Sequence, residues 1–241
     1  MSTKVKNENE KRTFLKNQLI NAWTECVKYD YPTGVINGER ALQACLYHRL
    51  INDFKANGME NCRRIFIEPT IDVKGRTSRR IPDMMICDTN NVIAIFELKF
   101  HPRVTLSGRF GDALRGGVEK DLDTLLSIAQ DLNGVSAKPQ ADASHIEVSN
   151  ERYLGVSGAS KTYGLASNLM LVWAGIYKRS DRSDASSTER LARVFDDAGV
   201  AIQGGFLELH AQTQEEAHPV LVDRYSGWKT PRILDGDATL A

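Results

Sequence analysis

Residues 81–99 constrain the fold more than any other part of this chain. Two apolar segments flank a short polar stretch, Thr89-Asn90-Asn91. A polar loop of roughly two to five residues between apolar segments is typical of a β-hairpin. The second segment, Val92–Phe96, is an unbroken apolar run, which is typical of a strand buried on both faces. The stretch therefore predicts a hairpin whose second strand lies inside a sheet.

The register of this hairpin decides which charged side chains meet. If the loop has three residues, opposing residue numbers sum to 180, so that Asp83 lies opposite Glu97 and Lys99 shares the face of Glu97. Like charges directly opposite each other destabilise a sheet. Two carboxylates and an ammonium group on one face instead suit a divalent-cation site. A two-residue loop would place Asp83 opposite Phe96 and weaken this interpretation.

Pro82-Asp83 and Glu97-Leu98-Lys99 together resemble the signature of the PD-(D/E)xK nuclease superfamily. The two halves lie on adjacent predicted strands, with Asp83 and Glu97 14 residues apart. The resemblance covers roughly residues 38–130. It implies an α/β, restriction-endonuclease-like core with a central mixed β-sheet flanked by α-helices, in a single domain over residues 1–241. The alternative is a surface hairpin with solvated charges.

The resemblance also implies an activity, the metal-dependent hydrolysis of phosphodiester bonds, in DNA before RNA. Asp83, Glu97 and the backbone carbonyl of Leu98 would bind Mg²⁺, with Mn²⁺ as the alternative ion. Carboxylates suit this ion because Mg²⁺ prefers oxygen ligands and keeps several waters. Lys99 would orient or activate the attacking water and stabilise the transition state. The implied partner is duplex or branched DNA, and a homodimer or a partner protein is also expected.

Two helices are predicted before the hairpin, over residues 13–29 and 38–56. In the second helix Glu39 lies about 60° from the apolar line, and Gln43 follows one turn later. The superfamily places an acidic residue on the helix before its sheet, aimed at the metal. Glu39 is therefore a candidate catalytic residue and Gln43 a secondary candidate. A glutamate that simply favours the helix dipole is an equal alternative for Glu39.

Between this helix and the hairpin, residues 63–73 predict a first strand, interrupted at Glu68-Pro69. Glu68 is a further secondary candidate, with a solvated side chain as the alternative. Basic residues lie on both sides of the proposed site and are candidates for contacts to phosphates. They are Lys74, Arg76, Arg79 and Arg80 before Asp83, then Arg103, Arg109 and Arg115 in a predicted loop over residues 100–117. Solvated loops are the alternative.

Beyond the hairpin the pattern predicts a crossover helix over residues 117–132, on which Lys120 and Asp123 are more typical of a solvated face. A loop is predicted over residues 133–150, followed by strands at 152–156 and 169–177. A helix begins at Ser186, and a last strand covers residues 206–211. Residues 1–12 and 235–241 are expected to be disordered.

Charge and composition limit the partners. Lys plus Arg equal Asp plus Glu at 31 each, so a nucleic-acid binder must carry a local basic patch. The four cysteines show no metal-binding spacing and predict reduced thiols. No secretory signal or long apolar run is present, so we expect a cytoplasmic protein without a membrane partner. The alternative function is a non-catalytic interaction module, for nucleic acid or protein, that retains the nuclease fold.

Overall fold

The computed structural model describes residues 8–73, 81–105, 116–125, 145–149, 160–178, 206–213, 220–225 and 232–234. Over these residues the protein is α/β, with a mixed, open β-sheet flanked by helices. The helices are α1 (Glu8–Glu25), extended by a π-helical turn (Cys26–Asp30), α2 (Glu39–Ala56) and α3 (116–125). No described helix combines the length and the apolar composition needed to cross a bilayer.

Nine strands within the described residues form one sheet. They are β1 (Arg64–Ile67), β2 (Thr70–Val73), β3 (Met84–Cys87), β4 (Asn91–Thr105), β5 (His145–Ser149), β6 (Ser160–Lys178), β7 (Phe206–Thr213), β8 (Val220–Tyr225) and β9 (Arg232–Leu234). The main order is β1-β3-β4-β6-β7-β8-β9, and β5 pairs with both β2 and β6. The pairs β4–β6 and β6–β7 are parallel, and the others are antiparallel.

One face of the sheet packs against α1 and α2 to form the apolar core. Along β4, Ala94, Phe96 and Leu98 point to this face because side chains alternate along a strand. The two helices pack against these residues with buried side chains at helical spacing. These side chains are Leu15, Leu19, Trp23, Leu42, Leu46, Leu50 and Phe54. Each large apolar side chain buried in this way contributes about 1.5–3 kcal/mol. This core holds the start of α2 against the hairpin.

The opposite face carries polar groups. Alternation places Glu97 and Lys99 of β4 there, and the register of the parallel strands sets Trp173 of β6 beside Glu97. Helix α3 lies over this part of the sheet, where it contacts Lys99. Its apolar residues Val118, Leu122 and Leu125 are buried. The sheet therefore separates an apolar layer from a layer that contains the charged residues of the motif.

The predicted three-residue hairpin loop is wrong, but the register that it implied is correct beside the motif. The Asp88 N–H donates to the Asn91 carbonyl at 2.8 Å, which leaves a two-residue loop. The Asp88 carboxylate closes the turn by accepting the N–H groups of Asn90 and Asn91, at 2.9 and 2.6 Å. Pairing then shifts by one residue, from Cys87 opposite Val92 to Ile86 opposite Ala94. This β-bulge restores the register that sums to 180.

The tip of the hairpin is docked onto β6. The Gly164 N–H donates to the carbonyl of Asn90 at 2.7 Å. A Cβ atom on residue 164 would lie 2.7 Å from the Asn91 side-chain oxygen, so the Asn91 side chain would have to move if residue 164 were not glycine. The turn is thus part of the sheet, although Thr89 and Asn90 are exposed.

Several predicted boundaries differ from the structure at the start of the chain. Disorder over residues 8–12 is wrong because α1 begins at Glu8; the glutamate and lysine side chains there favour a helix. Residues 1–7 and 235–241 lie outside the described residues. The predicted first strand is two strands, because Glu68 adopts a φ of 43°. That turn sends the chain from pairing with β3 to pairing with β5.

Later differences arise from pairing that the sequence pattern does not reveal. The predicted loop over residues 100–117 is wrong up to Thr105, because β4 continues beside β6. Its pairing shifts between His101 and Thr105, around Pro102, which has no N–H to donate. Strand β5 lies in the predicted loop over residues 133–150, and β8 and β9 follow the strand predicted to be last. The predicted strand at 152–156 and the helix from Ser186 lie outside the described residues.

Candidate active site

Asp83 is fixed immediately before β3 by contacts from three other elements. Its N–H donates to the carbonyl of Phe96 at 3.1 Å, which continues the hairpin ladder. Its carbonyl accepts the Gln43 side-chain amide at 2.6 Å and the Glu68 N–H at 2.8 Å. Its carboxylate accepts the Leu98 N–H at 2.5 Å. The side chain is therefore held at the point where β3 begins and β4 continues beyond its pairing with β3.

Glu97 lies directly beside it. The pairing of β3 with β4 reaches Met84 opposite Phe96, one residue short of Asp83 and Glu97. Both side chains line the same cleft, and the charge of Asp83 adds to burial in raising the pKa of Glu97. Glu97 is only 8 % exposed. The structure therefore brings a half-buried and a buried acidic side chain into the same cleft.

Both carboxyl groups bind protons more tightly than usual. Burial, the charge of Asp83 and that of Asp121 raise the pKa of Glu97 to about 9. Burial also raises the pKa of Asp83 to about 6, although the Leu98 N–H acts in the opposite direction. Because the pair interacts strongly, it titrates as a unit. A cation between the two groups would relieve both burial and repulsion.

Lys99 makes an ion pair with Asp121 of α3, with 3.0 Å between Nζ and Oδ2. Their side chains are only 18 % and 10 % exposed. The contact is an ion pair by distance, without the angles of a well-directed hydrogen bond at Oδ2. Burial lowers the pKa of Lys99, but Asp121, Glu39 and Asp83 together outweigh it and raise that pKa overall. Lys99 is thus a cation at neutral pH.

These residues line one open cleft of about 510 Å³. Its described lining consists of Glu39, Ile81, Asp83, Glu97, Lys99, Gly117, Lys120, Asp121 and Thr124. Among these residues are four carboxyl groups and two ammonium groups. The cleft therefore contains more acidic than basic side chains.

The two candidate residues of α2 lie at or beside this cleft. Glu39 is the first residue of the helix, is exposed and lines the cleft. Gln43, one turn later, is buried and supports the backbone of Asp83 rather than lining the cleft. The Leu98 backbone points to the open side of β4, since its N–H meets Asp83 and the carbonyl of a strand residue points to the same side as its N–H.

Other predicted residues are not brought to the cleft. Glu68 contributes its backbone N–H to Asp83, but its side chain is absent from the cleft lining. Arg103 is exposed on β4 and lies near Tyr31, where its charge partly opposes the rise that burial causes in the pKa of that phenol. His101, next to the motif, has its pKa lowered by burial and by Lys99. The remaining basic candidates all lie outside the described residues. These candidates are Lys74, Arg76, Arg79, Arg80, Arg109 and Arg115.

Asp121 is the residue that the sequence prediction missed. It follows Val118 by three residues and precedes Leu125 by four, so it occupies the apolar stripe of α3. A charged residue at such a position is buried, and a buried charge needs a partner. That signal could have identified Asp121. Lys120, considered more typical of a solvated face, lines the cleft, whereas Asp123 is exposed and does not.

The donor set suits Mg²⁺ in chemistry, although it is small. Within the described residues no group of three or more histidine, cysteine, aspartate or glutamate side chains is arranged to hold a metal ion. Asp83 and Glu97 supply two adjacent carboxyl groups, and the Leu98 carbonyl faces the same side of β4. Mg²⁺ is usually held by one or two carboxylates, with waters and substrate phosphates completing its shell. The residues present therefore fit this ion.

Comparison with known proteins identifies no relative. No protein-family model matches the chain, and no curated protein or solved structure is significantly similar to it.

Proposed function

We propose that this protein is a metal-dependent nuclease that hydrolyses phosphodiester bonds in DNA. The observation that carries the proposal is the placing of Asp83 and Glu97, a half-buried and a buried carboxyl group with raised pKa values, in one cleft with Lys99. A fold that needed only stability would not retain such a pair, because burying neighbouring carboxyl groups is costly.

The order of elements adds support. Along the chain, helix α2 is followed by the antiparallel strands β1, β3 and β4, then by helix α3 and the parallel strand β6. The short strands β2 and β5 are insertions in this order. A crossover helix that returns to a further strand is what the resemblance to the PD-(D/E)xK superfamily implies. Membership of that superfamily is part of the proposal.

In this proposal Asp83, Glu97 and the Leu98 carbonyl hold Mg²⁺, or Mn²⁺ in its place. The ion supplies a lowered pKa for a bound water and neutralises charge on the phosphate. Lys99 stabilises the negative charge that develops on the phosphate, because its ammonium group lies in the same cleft. Glu39, which lines the same cleft from the start of α2, would orient a water molecule there.

DNA, duplex or branched, is the proposed substrate because the cleft is open and wide enough for a backbone phosphate and its neighbours. The basic residues on either side of the motif are the proposed phosphate contacts. They are Lys74, Arg76, Arg79, Arg80, Arg103 and Arg109. Lys120 of the cleft wall joins them in this role. A homodimer or a partner protein would extend the same groove.

Cleavage of supercoiled, linear and branched DNA, with Mg²⁺, Mn²⁺ or EDTA, tests the proposal. Wild type should nick DNA only with metal, and Lys99→Ala should abolish nicking while a gel-shift assay shows binding largely retained. Lys55→Ala, which removes an exposed lysine of α2, is the matched control and should cut normally. Wild type that binds DNA but never cuts would favour the non-catalytic interaction module.

A second variant separates binding from cleavage. Neutralising Lys74, Arg76, Arg79 and Arg80 together should weaken DNA binding. It should also flatten the log–log salt dependence by about 0.9 for each phosphate of duplex DNA that the variant no longer neutralises. Unchanged binding with an unchanged slope would remove this loop from the proposed interface.

A further inference from the structure

We propose that Asp121 is a positioning residue for Lys99. Its carboxylate fixes the ammonium group at the wall of the cleft, so that the positive charge meets a substrate phosphate in one arrangement. The effect on rate rests on the proposed nuclease function. The fixed position of Lys99, in contrast, is a property of the folded chain and is measurable without any substrate.

The ion pair with Asp121 of α3, 3.0 Å between Nζ and Oδ2, restricts Lys99. The Lys99 side chain is also only 18 % exposed. A lysine side chain has four rotatable bonds and is otherwise mobile. An ion pair at the head of a largely buried side chain therefore favours one arrangement of Lys99.

Trp173 of β6 lies near Asp121. Burial raises the pKa of the Asp121 carboxyl group, and Lys99 and then Trp173 act in the opposite direction. The Trp173 ring covers the backbone of Gly175, where an added Cβ would overlap the indole. Only glycine leaves room for this arrangement. The indole is therefore wedged against the sheet beside the Asp121 carboxylate.

Behind the indole lies a buried polar cluster on β6 and β7. The His210 ring lies 5.0 Å from that of Trp173, measured between centroids. One nitrogen of His210 is 2.9 Å from the Tyr177 hydroxyl, and the other is 2.9 Å from the Glu208 carboxylate. All three side chains are buried. The packing from β7 to β4 thus continues as His210, Trp173, Asp121 and Lys99.

Such support has a defined consequence for rate. A misplacement of about 1 Å at a catalytic group costs about 100-fold, and a supporting layer that locks the rotamer prevents it. Replacing Asp121 should therefore act on turnover, where the charge on the phosphate develops, more than on binding of a DNA with many other contacts.

The test compares Asp121→Asn with Asp123→Asn, the same substitution two residues along α3 at an exposed position. We expect kcat for DNA nicking to fall about 10- to 100-fold in Asp121→Asn with KM within about two-fold, and no change in Asp123→Asn. Asp121→Glu retains the charge but moves it by one methylene, so kcat should be intermediate. This variant carries the test if Asp121→Asn does not fold, as judged by circular dichroism.

A double-mutant cycle isolates the route of the effect. In the Lys99→Arg background, which keeps a cation at the cleft but not the ammonium group that Asp121 positions, Asp121→Asn should cause a smaller loss of nicking activity than it does in wild type. An equal loss in both backgrounds would mean that Asp121 acts independently of Lys99 and would overturn the proposal.

A readout without DNA separates this inference from the proposed function. The ¹⁵N-lysine ammonium signal of Lys99, assigned by its absence in Lys99→Arg, should be sharp in wild type and Asp123→Asn and broadened in Asp121→Asn or Asp121→Glu. If the signal depends on Asp121 but wild type cuts no DNA, the nuclease proposal fails and the positioning role stands. If wild type cuts DNA and neither the signal nor kcat depends on residue 121, the positioning role fails alone.

Discussion

Replacing Glu97 with glutamine should stabilise the metal-free protein, although Glu97 is a proposed catalytic residue. The substitution keeps the size of the side chain and removes its ability to ionise. In the folded protein the pKa of Glu97 is raised from 4.5 to about 9, by burial first and by Asp83 and Asp121 next. The folded state therefore binds more protons than the unfolded chain across this window, and stability falls as pH rises through it.

The magnitude follows from the same pKa values. At pH 7 the unfolded chain ionises Glu97, whereas the folded chain keeps its proton. Each pKa unit corresponds to about 1.4 kcal/mol. Between the ordinary pKa of 4.5 and pH 7, an ionisable Glu97 therefore lowers the free energy of unfolding by about 3 kcal/mol relative to glutamine. For a chain of 241 residues this difference corresponds to roughly 6–12 °C in Tm. Near pH 4.5 the difference should vanish.

Thermal unfolding in EDTA between pH 4.5 and 9 measures this difference in stability between wild type and Glu97→Gln. Glu60→Gln is the control at an exposed glutamate. Wild type and Glu60→Gln should lose stability as pH rises, and Glu97→Gln should lose less. Mg²⁺ should raise the Tm of wild type and leave that of Glu97→Gln unchanged. If Glu97→Gln is less stable than wild type at pH 8 in EDTA, the reasoning from the buried carboxyl pair is refuted.

Three further substitutions test the packing around the site. Gln43→Leu removes the 2.6 Å hydrogen bond to the Asp83 carbonyl and should cost about 1 kcal/mol in urea unfolding, because the Glu68 N–H still serves that carbonyl. Gly175→Ala overlaps the Trp173 ring and should cost about 1–3 kcal/mol, with an altered near-ultraviolet circular dichroism signal. His210→Leu removes the 2.9 Å partner of the buried Glu208 and should cost about 3 kcal/mol in urea unfolding, whereas a leucine at an exposed histidine should cost little.

The hairpin shows what the sequence pattern could and could not predict. The apolar run of β4 and the motif located both strands correctly. The assumed loop length was wrong, and the register beside Asp83 was still correct because a bulge adds the residue that the loop lacks. Such a bulge depends on how β4 docks against β6, which is a long-range contact. Short-range patterns of polar and apolar residues contain no such information.

The candidate site, like the hairpin, could be predicted from the sequence only in part. Asp83, Glu97, Lys99 and Glu39 could be predicted to lie together, because two strands and the start of one helix bring them into one cleft. The apolar stripe of α3 could mark Asp121 as a buried charge, but not its pairing with Lys99, because only the packing of α3 on the sheet brings the two together. The extension of β4 past Pro102 was missed for a related reason, since β6 supplies the partner that continues the strand.

The docked tip of the hairpin affects where the protein can be engineered. Thr89 and Asn90 are exposed, and exposure is the usual criterion for inserting a tag or a fluorescent reporter. Here the Asn90 carbonyl accepts the Gly164 N–H, and the Asn91 side chain fills the space beside Gly164. An insertion at this tip would pull β4 away from β6 or shift its pairing by a residue, which would turn Glu97 into the apolar layer. A reporter is better placed at the exposed turn after α2, around Gly58 and Glu60, where no strand register depends on loop length.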